Sequence, residues 1–123
     1  MVFTSPPYAG LEVYSDIQGD LSVVSKDGYE EFSKKYLEIL KKTAALLVPG
    51  GFAVFVLGEV RDKNGNYIGF VPDTVKLLQS LGLDYYNEMI LAQATGGLFI
   101  TSKFEKSKKI SKHHQNVLVF TKW

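Results

Sequence analysis

The chain has no cysteine, so no disulfide framework staples it, and a zinc site would have to be built from histidine and distant carboxylates. It has no long hydrophobic run either. The longest, near 44–48 and 52–57, fall far short of the roughly 20 residues that cross a bilayer. The stretch from Met1 to Tyr8 lacks the basic start and apolar core of a secretory signal. These absences predict an intracellular, cytoplasmic protein with no membrane partner. Internal repeats and low-complexity tracts are missing as well. With 123 residues, 46% of them hydrophobic, the chain fills one core, which predicts a single domain and excludes a two-domain enzyme.

A net charge of +1 conceals a strong asymmetry. Residues 1–100 carry eight Lys or Arg against twelve acids, whereas residues 101–123 carry six Lys against Glu105 alone. A cationic end of this kind is the electrostatic footprint of a segment that meets phosphates, and equally of a solvated lysine loop.

Met1 to Thr4 reads as a short strand that stops at Ser5, since Pro6-Pro7 offers no backbone N–H to a ladder. Residues 9–27, rich in Gly, Ser and Asp, read as a long loop, of a length usually tied to function. Asp27 and Glu30 resemble a capping box. Apolar residues then recur at helical spacing from Tyr29 to Leu47, and Pro49-Gly50-Gly51 turns the chain. Phe52 to Leu57 is a continuous apolar run, which predicts a strand covered on both faces by helices. A turn at 62–66 precedes a second helix over 72–81, with Pro72 at its first position and Gly82 after its end. Strands follow at 85–93 and 117–120, separated by a lysine-rich segment without a clear period. The order predicts an α/β fold with parallel crossovers and an antiparallel last pair.

The residues richest in chemistry are Thr4-Ser5-Pro6-Pro7-Tyr8, placed where the first strand ends. In open α/β sheets, ligands bind beyond the carboxyl ends of strands. Two prolines restrict the backbone, so the Ser5 hydroxyl and the Pro6 carbonyl can be fixed acceptors aimed at one point, with the face of Tyr8 beside them. Such a site suits a planar amine. The same residues also read as a proline-rich turn whose tyrosine packs on the core.

Ser5-Pro6-Pro7-Tyr8, preceded by Val2-Phe3-Thr4 and continued by Leu11 to Asp16, resembles the catalytic motif and following loop of S-adenosylmethionine-dependent DNA methyltransferases that modify exocyclic amino groups. Leu47-Val48-Pro49-Gly50-Gly51 before an apolar strand resembles a turn widespread in class I methyltransferases. His114 to Phe120 resembles the last strand of the same DNA methylases. The resemblance implies a partial class I, Rossmann-like sheet of about four strands with two main helices. It also implies S-adenosyl-L-methionine as cofactor, DNA as partner, and direct methyl transfer to cytosine N4 or adenine N6, as in restriction–modification. In that reading Ser5, Pro6, Pro7 and Tyr8 are catalytic. Ser5 and the Pro6 carbonyl would hold the amino group, and Tyr8 would stack on a flipped base. The Ser form leans towards cytosine.

The chain departs from that family in one large respect. Only four residues precede Ser5, so the glycine-rich turn and the acidic residue that hold the cofactor have no place there, and no later glycine pair has the required strand–turn–helix setting. Thr4 and Ser5 remain as candidate cofactor contacts. Residues 1–123 then represent the catalytic, base-binding half of the fold, completed by another segment, by a homo-oligomer or by a partner chain. Ala9-Gly10 replaces the bulkier pair expected after the tyrosine. Lys103, Lys106, Lys108, Lys109 and Lys112, with Phe104 among them, are the DNA-binding candidates or else a solvated loop. His113-His114 point in different directions, and no metal is expected. The competing reading is an inactive methyltransferase-like remnant that serves as a DNA-binding or regulatory module.

Overall fold

In this computed structural model the described residues are 1–7, 28–93, 105–106, 108–110 and 112–123. They form strand β1 (Val2–Thr4), helix α1 (Tyr29–Leu46), strand β2 (Gly51–Leu57), helix α2 (Phe70–Ser80), and strands β3 (Asp84–Ala92) and β4 (His114–Lys122). The strands make one sheet of order β1-β2-β4-β3. β1 pairs parallel to β2, and β4 runs antiparallel to both β2 and β3. The expected α/β class, two helices and antiparallel final pair are all present. No helix among the described residues is long and apolar enough to cross a membrane.

The last strand takes a place that its sequence order does not announce. β4 inserts between β2 and β3, because Val117, Leu118, Val119 and Phe120 suit both faces of a central strand. It is longer than its apolar centre, extending from His114 to Lys122 rather than over 117–120. β3, carrying Asp84, Asn87 and Glu88, takes the edge, exposed along its whole length. A register shift lies between Tyr85 and Asn87, and the adjacent tyrosines 85 and 86 meet different partners. Tyr85 meets Phe120 at 5.2 Å between ring centroids, and Tyr86 meets Phe52 at 5.6 Å.

α1 buries Phe32, Tyr36, Leu40 and Ala44, a four-residue repeat that keeps one stripe on the sheet. Its N-cap is Gly28, with no side-chain cap, and Asp27 of the expected capping box lies outside the described residues. The helix stops at Leu46 because Leu47 is already extended. α2 begins at Phe70, two residues before the expected start at Pro72, because its cap is not local. Glu59 Oε2 accepts the N–H groups of Gly69 and Phe70, at 3.1 and 3.0 Å, and Oε1 accepts that of Val71 at 2.8 Å. A carboxylate from ten residues upstream thus satisfies the orphan donors and the helix dipole. Pro72 falls in the first turn, where its missing N–H costs nothing.

Both helices deliver their buried stripes to one core, with Ala53, Phe55 and Leu57 of β2 and Leu118 and Phe120 of β4. Phe70 joins the helices, its ring 5.7 Å from Phe32 and 5.4 Å from Tyr36. Burial pushes the Tyr36 hydroxyl up to about 12, so it stays protonated while accepting a hydrogen bond from Thr74. The expected cover on both faces of β2 is not what the described residues show. Phe52, Val54 and Val56 are only half-buried, and Phe3, beside Val54 in the register, is 67% exposed. The two helices lie on one face, so the other is left without cover among the described residues.

The turn into β2 needs both its glycines. Gly50 has φ +73, and a Cβ on Gly51 would stand 2.7 Å from the Val48 carbonyl oxygen. Gly51→Ala is therefore expected to cost about 1–3 kcal/mol through overpacking against backbone. Phe55→Ala, at a site 2% exposed, is expected to cost about 3–5 kcal/mol. Urea unfolding should show both as lowered midpoints with an unchanged m value.

Candidate functional site

The sheet topology gathers four chain segments at one edge. β1, β2 and β3 end there, and β4 begins there. Ser5-Pro6-Pro7 follows β1 directly at this edge. Ser5 is exposed, Pro6 is buried and Pro7 is half-buried, so the second residue of the motif anchors the chain while the first faces solvent. Thr4, half-buried, pairs with Phe55 in the register. Tyr8 lies outside the described residues, as does Lys103.

Two further segments flank a cleft of about 1200 Å³ at the same edge. One is the turn after β2, which is strongly organised. Asp62 Oδ1 accepts the N–H groups of Asn64 and Asn66, both at 2.9 Å. Gly65 holds φ +89, and Arg61 and Tyr67 form a bridge between the arms. The Arg61 guanidinium donates to the Gly65 carbonyl at 2.6 Å and lies 4.2 Å from the centroid of the Tyr67 ring. The second segment is the stretch before β4. Lys108 and Lys109 are exposed, and Lys112 is half-buried and donates to Asn116 Oδ1 at 3.2 Å.

The structure therefore brings Lys108, Lys109 and Lys112 to one cleft and leaves Lys106 exposed outside its lining. It adds Asn64, which the sequence offered only as part of the 62–66 turn, and Arg61 and Tyr67, which flank that turn and were not singled out. His113 and His114 also line it. Among the described residues no three His, Asp or Glu side chains stand close enough to hold a metal ion.

No model of a known protein family matches this chain, and no curated protein matches it. Solved structures do. The protein TTHA0409 of Thermus thermophilus, named a "putative DNA modification methylase", superposes with a TM-score of 0.69 at 25% identity, over 98% of this chain and 43% of that one. The same protein complexed with S-adenosyl-L-methionine gives a TM-score of 0.67 at 25% identity, over 98% and 44%. The chain thus spans less than half the length of the methylase that it resembles. The likeness covers the whole mixed sheet and supports a partial, Rossmann-like fold of methyltransferase type.

The Asp62 carboxyl is held below the usual carboxylate range, first by the Asn66 backbone N–H and then by that of Asn64, with burial opposing them. A depressed folded value gives stability that is complete above the unfolded value of about 3.9 and is lost as pH falls through the folded one. The turn is expected to loosen only below about pH 4, and Asp62→Ala to loosen it at neutral pH. Amide hydrogen exchange at Asn64 and Asn66 measures both.

Proposed function

We propose that residues 1–123 form the base-binding half of a DNA methyltransferase that presents an exocyclic amino group, cytosine N4 in preference to adenine N6, to the methyl group of S-adenosyl-L-methionine. One observation carries this reading. An exposed Ser5 stands ahead of a buried Pro6 at the C-terminal end of β1, in a sheet like that of a DNA modification methylase.

The chemical problem at such an amine is its lone pair, which is delocalised into the ring. Hydrogen bonds from the amino group to Ser5 Oγ and to the Pro6 carbonyl draw the nitrogen towards a tetrahedral shape and free the lone pair for in-line attack. Pro7 keeps the backbone extended behind these acceptors. Tyr8 supplies a stacking face for a nucleotide turned out of the duplex. The bound cofactor supplies an electrophilic methyl carbon on a sulfonium. As the nitrogen–carbon bond forms, the carbon–sulfur bond breaks onto sulfur, and the extra nitrogen proton leaves to solvent.

Thr4 and Ser5, at the strand end, border the place for that cofactor but cannot enclose it. Among the described residues the outer edge of β1 has no partner strand, and Phe3, Val54 and Val56 offer an apolar face. Further polypeptide of the cofactor-binding kind, from another segment, a partner chain or a second copy, completes the pocket by pairing with β1 and covering that face. The length of the similar methylase outside the shared region supports this view.

In the complete enzyme, Ser5→Ala is expected to lower kcat for methyl transfer to DNA by about a hundredfold with an unchanged melting temperature. Digestion and chromatography of the product should show N4-methylcytosine. Unchanged kcat in the Ser5→Ala enzyme would sink the catalytic assignment, and N6-methyladenine would overturn the choice of base.

A further inference from the structure

The geometry points to the cleft between the 61–67 turn and residues 108–110 and 112–114 as a binding site for the sugar–phosphate backbone of the nucleic-acid strand beside the target nucleotide. Lys109 and Lys112 would meet phosphates, and the Arg61–Tyr67 pair would form a stacking platform. This inference rests on the methyltransferase reading only for why a strand should run along this edge; the chemistry of the cleft stands on its own residues.

The first argument is charge. Arg61, Lys108, Lys109 and Lys112 line the cleft, with Glu59 as the one carboxylate among the described residues of the lining. Glu59 does little to cancel them, because both its oxygens are engaged by the three N–H groups that start α2. Four cations around a shared opening focus a positive field outward, as a polyanion requires.

The second argument is construction. The Lys109 side chain runs across the turn so closely that a Cβ on Gly65 would lie 2.6 Å from its Cε. Lys112 is aimed by Asn116, whose amide in turn donates to Glu88 at 2.7 Å. Arg61 is fixed by the Gly65 carbonyl and by the ring beneath it. Tyr67 is half-exposed, so this aromatic–guanidinium pair is open to a base or a sugar. Lysines held in place across an ordered turn differ from lysines waving in solvent, because much of their ordering cost is met before the ligand arrives.

The third argument is place and size. The cleft opens at the edge where Ser5 ends β1, with β2 between them and β4. At about 1200 Å³ it exceeds the range of roughly 300–1,000 Å³ usual for small-molecule pockets. Its cationic lining fits a strand passing through better than an enclosed metabolite.

The test is fluorescence anisotropy of a labelled single-stranded oligonucleotide against the full chain over a salt series. Wild type should bind with an affinity that falls steeply with salt. Lys109→Ala and Lys112→Ala should each weaken binding about three- to tenfold and reduce the salt slope by roughly 0.7, the single-strand value for one phosphate contact. Lys41→Ala and Lys42→Ala, on the exposed face of α1, remove equal charge outside the cleft and should leave both quantities unchanged. Equal weakening by the α1 variants, or none by the cleft variants with melting temperatures retained, overturns the inference. Ser5→Ala is read only for methyl transfer. A failed cleft with Ser5-dependent methylation leaves the methyltransferase reading intact, and cleft-dependent binding without methylation does the reverse.

Discussion

The alternation of β2 is the constraint on which the remaining structure depends. Ala53, Phe55 and Leu57 are at most 2% exposed, and each sits beside a residue of β4 in the register. That face has to be covered, and both amphipathic helices are drawn to it. The Phe32–Tyr36–Phe70 cluster then locks the helices to one another. With both helices used on one side, the opposite side, with Phe3, Val54 and Val56, has no cover of its own among the described residues. Among the described residues, burial of one face thus leaves the other with only half-buried or exposed apolar side chains.

The same topology explains why the chemistry collects at one edge. A parallel crossover from β1 to β2 places both strand ends together, and the antiparallel β4 brings the start of the basic-to-strand passage to the same place. Arg61 and Lys109, 48 positions apart in sequence, therefore line one cleft. At this edge the Glu59 carboxylate, just after β2, caps the start of α2. The proposed catalytic residues and the cationic cleft are in this sense consequences of strand direction.

The resemblance seen in the motifs and the likeness seen in the fold have different origins and agree. Ser5-Pro6-Pro7 and Pro49-Gly50-Gly51 are readable because backbone restriction and positive φ leave few other residue choices. The fold is readable because β2 is a continuous apolar run and α1 a four-residue stripe. Ends of elements were less legible. α2 starts early because a distant carboxylate caps it, and β4 runs long because its neighbours on both sides supply hydrogen bonds to residues with no strand preference of their own.

By itself the sequence determined the class of fold, the elements and the serine–proline motif at the end of the first strand, since these follow from periodicity and from local backbone restriction. Only the tertiary structure decided that β4 lies between β2 and β3, that both described helices lie on one sheet face, and that Arg61 and Tyr67 join the lysines before β4 in one cleft. Such facts depend on which distant segments meet, and pairing across a sheet is settled by competition among all strands for the most buried position. No window of residues carries that information.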